Sequence, residues 1–273
     1  MYKGIWIVIW ELLWMPRIVF AQAPAAQDTP VEVKVMTYNI RIASPPSKGW
    51  EYTDLHAVAE VINREKPDLV ALQEVDVYTE RSGKASHQAR ELGELTGMHW
   101  HFAKAIDRSG GDYGVAVLSQ YPIVSTQSFQ LPVTAHSEGE IRGCALITVQ
   151  VGGREVGFMS AHLDHQSDED RLLQVKTLNG ILRKYRNLPV IFGADLNMEQ
   201  CNPIVRRLKA QVSFLCDSCT LTFPSDTPMV TLDYLMLNRK ALKDFEVIEY
   251  KVIPEVYASD HRPVVLQLKM KVE

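Results

Sequence analysis

Apolar residues in this chain come in short runs that stop abruptly on polar ones. Val33 to Tyr38 ends at Asn39, Asp68 to Gln73 ends at Glu74, and Val156 to Ala161 ends at His162. Ile191-Phe192-Gly193-Ala194 ends at Asp195, with Asn197 two residues further on. Apolar runs of this length, bounded by polar and turn-forming residues, predict buried strands. Side chains alternate between faces along a strand, so Asp195 and Asn197 are expected on one face with Leu196 turned back into the core. Nearer the C-terminus, Thr231-Leu232-Asp233-Tyr234 opens another β-rich run, and Ser259-Asp260-His261-Arg262-Pro263 stands just before Val264-Val265-Leu266. Ile141 to Val151 and Glu155 to Ala161 predict two strands joined by a two-residue hairpin at Gly152-Gly153.

Helical spacing appears in fewer places. Residues 54 to 64 set Leu55, Val58, Ala59 and Ile62 on one face, with Thr53 or Asp54 as the cap and Lys66-Pro67 as the stop. Two more helices are expected over His87 to Thr96 and Asp168 to Tyr185. Strands outnumber helices and pair partly by hairpins, which predicts an α+β (mixed α/β) fold of mixed sheets with covering helices. The chain has 273 residues and no linker, charge block or repeat, so residues 31–273 are expected to form one large domain.

The first 23 residues differ in composition. Lys3 precedes an apolar run, Ile5 to Met15, broken only by Glu11, and Val19-Phe20-Ala21-Gln22-Ala23 follows. This pattern predicts a signal peptide over residues 1–23, cleaved near Ala21 or Ala23, and hence an exported protein, periplasmic or secreted. The run is too short for a stable membrane span. Export would place the four cysteines in an oxidising compartment. Cys216-x-x-Cys219 with Cys201 upstream lacks a fourth ligand for zinc, so a disulfide within that trio is expected, with Cys144 a buried thiol. A formal net charge of −4 argues against a surface that attracts nucleic acid without sequence preference. Nothing in the composition suggests more than a monomer.

Six strand termini, far apart in sequence, therefore carry Asn, Glu, His, Asp with Asn, Asp, and Asp with His. The ordered set Thr37-Tyr38-Asn39, Leu72-Gln73-Glu74, Ala161-His162-Leu163, Gly193-Ala194-Asp195-Leu196-Asn197, Leu232-Asp233-Tyr234 and Ser259-Asp260-His261 resembles the endonuclease/exonuclease/phosphatase superfamily, in its secreted bacterial branch. The resemblance covers roughly residues 31 to 270. It implies a DNase I-like four-layer sandwich, two packed mixed β-sheets with helices outside and the active site at one end. It also implies metal-assisted, in-line attack of water on a phosphoester. Asp195 would orient or deprotonate that water, with Asn197 fixing its position. Glu74, Asn39 and Asp260 would hold the metal, His162 and His261 would grip phosphate oxygens, and Asp233 would pair with His261.

The residue types agree with that chemistry. Oxygen donors suit hard divalent ions, magnesium first and manganese second. A histidine raised in pKa by a carboxylate serves as a cation near neutral pH. Arg142 and Arg171, with Tyr113 and Asp164, are the expected substrate contacts, since Arg binds phosphate bidentately. Val115 departs from the asparagine that commonly follows the Tyr-Gly pair in this family, which touches substrate class more than mechanism. The expectation is an exported phosphoesterase acting on a small or lipid-linked phosphoester, with a secreted nuclease and a non-catalytic phospho-ligand-binding module as the alternatives.

Overall fold

The computed structural model describes Met1 and residues 31–216 and 220–271. The chain runs through β1 (Glu32–Asn39), α1 (Leu55–Glu65), β2 (Leu69–Val77), α2 (Gln88–Thr96), β3 (His99–Arg108), β4 (Gly111–Ser119), β5 (Ile123–Leu131), β6 (Arg142–Val151) and β7 (Arg154–His162). It continues through α3 (Asp168–Lys184), β8 (Val190–Asp195), α4 (Pro203–Leu208), β9 (Val212–Phe214), β10 (Asp233–Asn238), α5 (Arg239–Asp244), β11 (Phe245–Val252) and β12 (Val264–Met270). One six-stranded sheet has the order β11-β12-β1-β2-β4-β3 and the other β5-β6-β7-β8-β10-β9. Each is mixed, with one parallel pair at its centre, β1 with β2 and β7 with β8. The predicted α+β sandwich is what the chain forms.

The layers follow from period-two alternation with both faces buried. On β1, Val33 and Val35 enter the core between the sheets, whereas Met36 and Tyr38 enter a second core under α1 and α2. On β2, Leu69 and Ala71 face the sheet interface and Val70 and Leu72 the helices. On β8, Ile191 faces inward while Val190, Phe192 and Ala194 meet α3 and α4. Strands covered on both faces read as continuous apolar runs, which is why they stood out in the sequence.

Local signals were equally direct. Asp54 caps α1 by accepting from the Ala57 amide at 3.0 Å, and Ser167 and His87 cap α3 and α2. The β6–β7 hairpin turns at Gly152 and Gly153, both at positive φ (55° and 78°), the geometry a two-residue turn requires. One strand boundary differs: β2 does not stop at Glu74 but runs to Val77 through a register shift between Leu72 and Val75. Within the cysteine trio, Cys216 is disulfide-bonded and Cys201 is free and exposed, so the bond excludes Cys201. Cys144 is free and buried, as expected. Cys219 lies outside the described residues, as does the expected signal peptide apart from Met1. No described helix is long and apolar enough to cross a membrane.

At Gly193 the two sheets approach so closely that a Cβ there would stand 2.7 Å from Ala71 Cβ and 2.9 Å from Thr37 Cβ. Gly193→Ala should therefore destabilise the fold by about 1–3 kcal/mol through overpacking. Chemical denaturation measures this directly, and an unchanged midpoint would show that the sheets are free to separate.

Candidate active site

The inward-facing rows of both sheets change character at one end of the sandwich. Val33 and Val35 lead to Thr37 and Asn39, Leu69 and Ala71 to Gln73, and Phe158 to Ser160 and His162. Ile191 leads to Gly193 and Asp195, and on the antiparallel β10 Leu237 and Leu235 lead to Asp233. A buried polar layer comes first. Gln73 Nε2 donates to Thr37 Oγ1 (3.2 Å) and to Ser160 Oγ (3.1 Å), and Ser160 Oγ donates to the Leu72 carbonyl (2.9 Å). This lattice ties the sheets together directly beneath Asn39, His162, Asp195 and Asp233.

Asn39 is the centre of the upper layer. Its amide nitrogen donates to Glu74 Oε1 (3.0 Å) and to Asp195 Oδ2 (2.9 Å), while its oxygen accepts from the Arg41 amide (3.0 Å). One side chain thus holds two carboxylates from different sheets together. Simple alternation would turn Glu74 toward the helices with Val70 and Leu72. Instead Glu74 sits at the irregularity in β2 with φ +56°, and the bulge swings its carboxylate to the site. Asn197 also departs from the expected shared strand face. It lies past the end of β8 at φ +49°, its amide donating to Asp195 Oδ1 (2.9 Å), and its side-chain nitrogen donates to the Leu163 carbonyl and lies 2.9 Å from His162 Nε2.

The two histidines are in opposite states. His261 Nδ1 is 2.9 Å from Asp233 Oδ2, and its Nε2 is 3.8 Å from Asp195 Oδ2. Burial opposes its charge, but Asp233 and Asp195 outweigh that and raise it to about 10. Among the described residues His162 has no such partner on Nδ1. Burial first, then Arg142, His261 and His165, hold it well below its usual value, so it is neutral. Burial and the neighbouring Asp233 raise Asp195 to about 7, against the opposing pull of His261 and the hydrogen bonds from Asn39 and Asn197. Ser259 fixes the His261 loop onto β1 by donating to the Asn39 carbonyl at 2.7 Å, and Phe223 lies against the His261 ring with centroids 4.8 Å apart.

Arg41 belongs to this site and was not singled out in the sequence. It stands in a turn, Arg41-Ile42-Ala43, whose three residues all have positive φ (49°, 50° and 56°). Each such non-glycine residue costs about 1–2 kcal/mol relative to the right-handed form. The turn persists because Gln88 Nε2 donates to the Ile42 carbonyl (2.6 Å) and the Asp54 amide to the Ala43 carbonyl (2.7 Å). It places Arg41 Nε 3.1 Å from Asp260 Oδ2.

The expected substrate contacts are less uniform. Arg142 is buried against the site, with one terminal nitrogen 3.0 Å from His165 Nδ1 and 3.5 Å from Glu140, while its Nε has no partner among the described residues. Tyr113 is buried beneath the Arg81 and Arg108 guanidiniums, and burial, then Glu74, raises its phenol. Asp164 does not face the cleft: its carboxylate is fully buried and accepts from the amides of Glu140, Gln166 and Ser167. Arg171 reaches the Asp164 carbonyl and Asp168, bracing the same loop. Asp164 is taken up by two amides at the start of α3, Gln166 and Ser167, and by one from the β5–β6 loop, Glu140, while Arg171 donates to its carbonyl. Asn39 turns its donor nitrogen toward the two carboxylates and its oxygen toward the Arg41 amide, which makes it a clamp on the pair.

The profile of the endonuclease/exonuclease/phosphatase family matches residues 36–261, a span that contains every one of these groups. The chain belongs to this family. Similar solved structures include a family member from Bacteroides thetaiotaomicron (TM-score 0.72, 19% identity, covering 89% of this chain and 99% of that one). A mannosyl-6-phosphatase from the same organism has a TM-score of 0.70 at 20% identity, covering 86% and 99% of the two chains. The human Nocturnin catalytic domain, with bound sulfate, gives 0.68 at 19% identity over 88% and 94%.

Members of the family are hydrolases of phosphoesters and generally use a divalent metal. The donor set here fits one. Glu74 and Asp195 converge on a single amide, and Asp260, next to the Ser259 that donates to the Asn39 carbonyl, presents a partly exposed carboxylate, 30% accessible. These are oxygen donors with surplus negative charge, suited to a hard cation. Asp195, Asp233 and His261 also bring potential ligand atoms within 4.8 Å of one another. In that group His261 and Asp233 are engaged with each other, so the carboxylates that could hold a cation are Glu74, which shares Asn39 with Asp195, and Asp260, which also meets Arg41. In the metal-free protein the His261 imidazole, followed by NMR, should stay protonated through neutral pH and titrate near 10. In Asp233→Asn it should titrate at distinctly lower pH, because the larger of the two carboxylate influences is gone while burial remains. Titration unchanged by the substitution would remove Asp233 from this role.

Proposed function

We propose that this protein is an exported, magnesium-dependent phosphoesterase that hydrolyses a small or lipid-linked phosphoester by in-line attack of water. The observation that carries this reading is Asp195. It is a buried carboxylate held by Asn39 and Asn197, raised to about 7, and flanked by one protonated and one neutral imidazole. A base is most useful when its pKa lies near the working pH.

Glu74 and Asp260 would hold magnesium, which when bound would supply positive charge to the phosphate oxygens. Asp195 Oδ2 accepts the proton of the attacking water, and Asn39 and Asn197 prevent the carboxylate from rotating away. His261, charged because Asp233 holds its Nδ1 proton, directs Nε2–H at a phosphate oxygen that gains charge in the transition state. His162 contributes hydrogen bonding without charge, and Arg142 adds a cation behind it. The N-terminal apolar run and the Cys216 disulfide support export. A fold shared with a mannosyl-6-phosphatase accommodates a phosphorylated sugar, which supports a small substrate.

Purified mature protein assayed on bis-p-nitrophenyl phosphate, p-nitrophenyl phosphate, sugar and inositol phosphates, sphingomyelin and plasmid DNA should show magnesium-dependent turnover that EDTA abolishes. Asp195→Ala and His261→Ala should each lower kcat/KM at least about 10²–10³-fold while leaving circular dichroism unchanged. Full turnover by folded His261→Ala would overturn the mechanism, and preferential, salt-sensitive cleavage of plasmid DNA would make the protein a nuclease.

A further inference from the structure

Beside Asp260, three aromatic side chains stand in solvent at the rim of the site: Trp50 (55% exposed), Tyr52 (48%) and Tyr257 (39%). They come from two loops, β1–α1 and β11–β12, that also carry Arg41 and Asp260. The Arg41 guanidinium carbon lies 3.7 Å from the centre of the Trp50 ring while its Nε holds Asp260, so a single guanidinium separates the ring from that carboxylate. The Tyr257 hydroxyl donates to Asp54 Oδ2 at 3.2 Å. The indole thus carries a cation against its ring while the residue stays more than half exposed. The left-handed turn that carries Arg41 is held by buried hydrogen bonds, so this placement is built into the fold.

An exposed aromatic surface suits a flat ring or a lipid interface, and the polar groups among the rings discriminate between these. Glu51 and Asp54 lie in the same loop as Trp50 and Tyr52, and insertion into lipid would strip water from both carboxylates. A ring bearing hydroxyls makes the opposite demand, a face to stack on and carboxylate and guanidinium groups at the edge. We propose that Trp50, braced by Arg41, is a specificity-determining residue that stacks on a ring in the alcohol portion of the phosphoester. This rests on the hydrolytic reading above and narrows its substrate to phosphoesters of cyclic alcohols. A sugar ring and an aryl ring share the flat face that Trp50 would recognise.

The test compares wild type, Trp50→Ala and Trp50→Phe, each loaded with magnesium, on a hexose 6-phosphate, p-nitrophenyl phosphate and glycerol phosphate. Trp50→Ala should raise KM for the ring-bearing substrates by about 5- to 10-fold with kcat little changed, the size expected for one lost stacking contact. Glycerol phosphate should be unaffected, and Trp50→Phe should recover part of the loss. An effect on the hexose ester alone would assign a sugar, and on the aryl ester alone an aromatic alcohol. Equal effects on all three substrates, or none on any, would overturn the proposal. So would vesicle flotation that depends on Trp50 while ring preference does not. Calorimetric titration of the same three ligands onto Asp195→Asn protein, with and without Trp50→Ala, reads binding independently of turnover. Ring-dependent binding without hydrolysis by wild type would refute the hydrolytic reading and retain the stacking one, and binding indifferent to Trp50 would refute stacking.

Discussion

The site depends on one hydrogen-bonding group, the Asn39 amide that donates at once to Glu74 and Asp195. These carboxylates belong to different sheets and repel each other in a setting where burial already disfavours charge. A neutral donor shared between them is the least expensive way to keep both in reach of a cation without neutralising either. Everything beneath supports that clamp. Gly193 lets the sheets approach, Gln73 links Thr37 to Ser160 across the gap, and Ser259 locks the Asn39 carbonyl to the loop that brings His261.

From that arrangement the protonation pattern follows without further machinery. His261 is charged because it has Asp233 behind it and Asp195 before it. His162, equally buried, faces Arg142 and stays neutral. Two histidines on one framework thereby differ in function through their neighbours alone, and Asp195 between them is poised near neutrality. Local strain is concentrated in the same place. Glu74, Asn197 and the Arg41–Ala43 turn all take positive φ, and each aims a group at the site that regular backbone would turn elsewhere.

Residues that look alike in sequence separate by what surrounds them. Asp164 and Asp195 both follow apolar strands, yet backbone amides before α3 and in the β5–β6 loop take up Asp164, whereas Asp195 keeps an oxygen facing the histidines. Arg171 braces that loop and Arg142 backs His162. Arg41, which no spacing rule singles out, touches both Asp260 and Trp50. Such differences are matters of partner and direction, and a single chain read in one dimension carries neither.

What the sequence determined alone is the part governed by short-range periodicity. Strands buried on both faces appear as apolar runs, caps such as Asp54 and turns such as Gly152-Gly153 carry their own chemistry, and the polar residues that end Val33–Tyr38, Val156–Ala161 and Ile191–Ala194 announce which side chains meet at the end of the sandwich. The order of those motifs was enough to place the chain in its family. Only the tertiary structure decided that β2 bulges at Glu74, that Asn39 bridges Glu74 and Asp195, that Asp164 turns inward, and that Arg41 enters through a left-handed turn. Apart from Asp164, two of whose three amide partners are close in sequence, those outcomes depend on contacts between distant segments. There the gain from a distant partner exceeds the local preference of the backbone, and no local pattern records it.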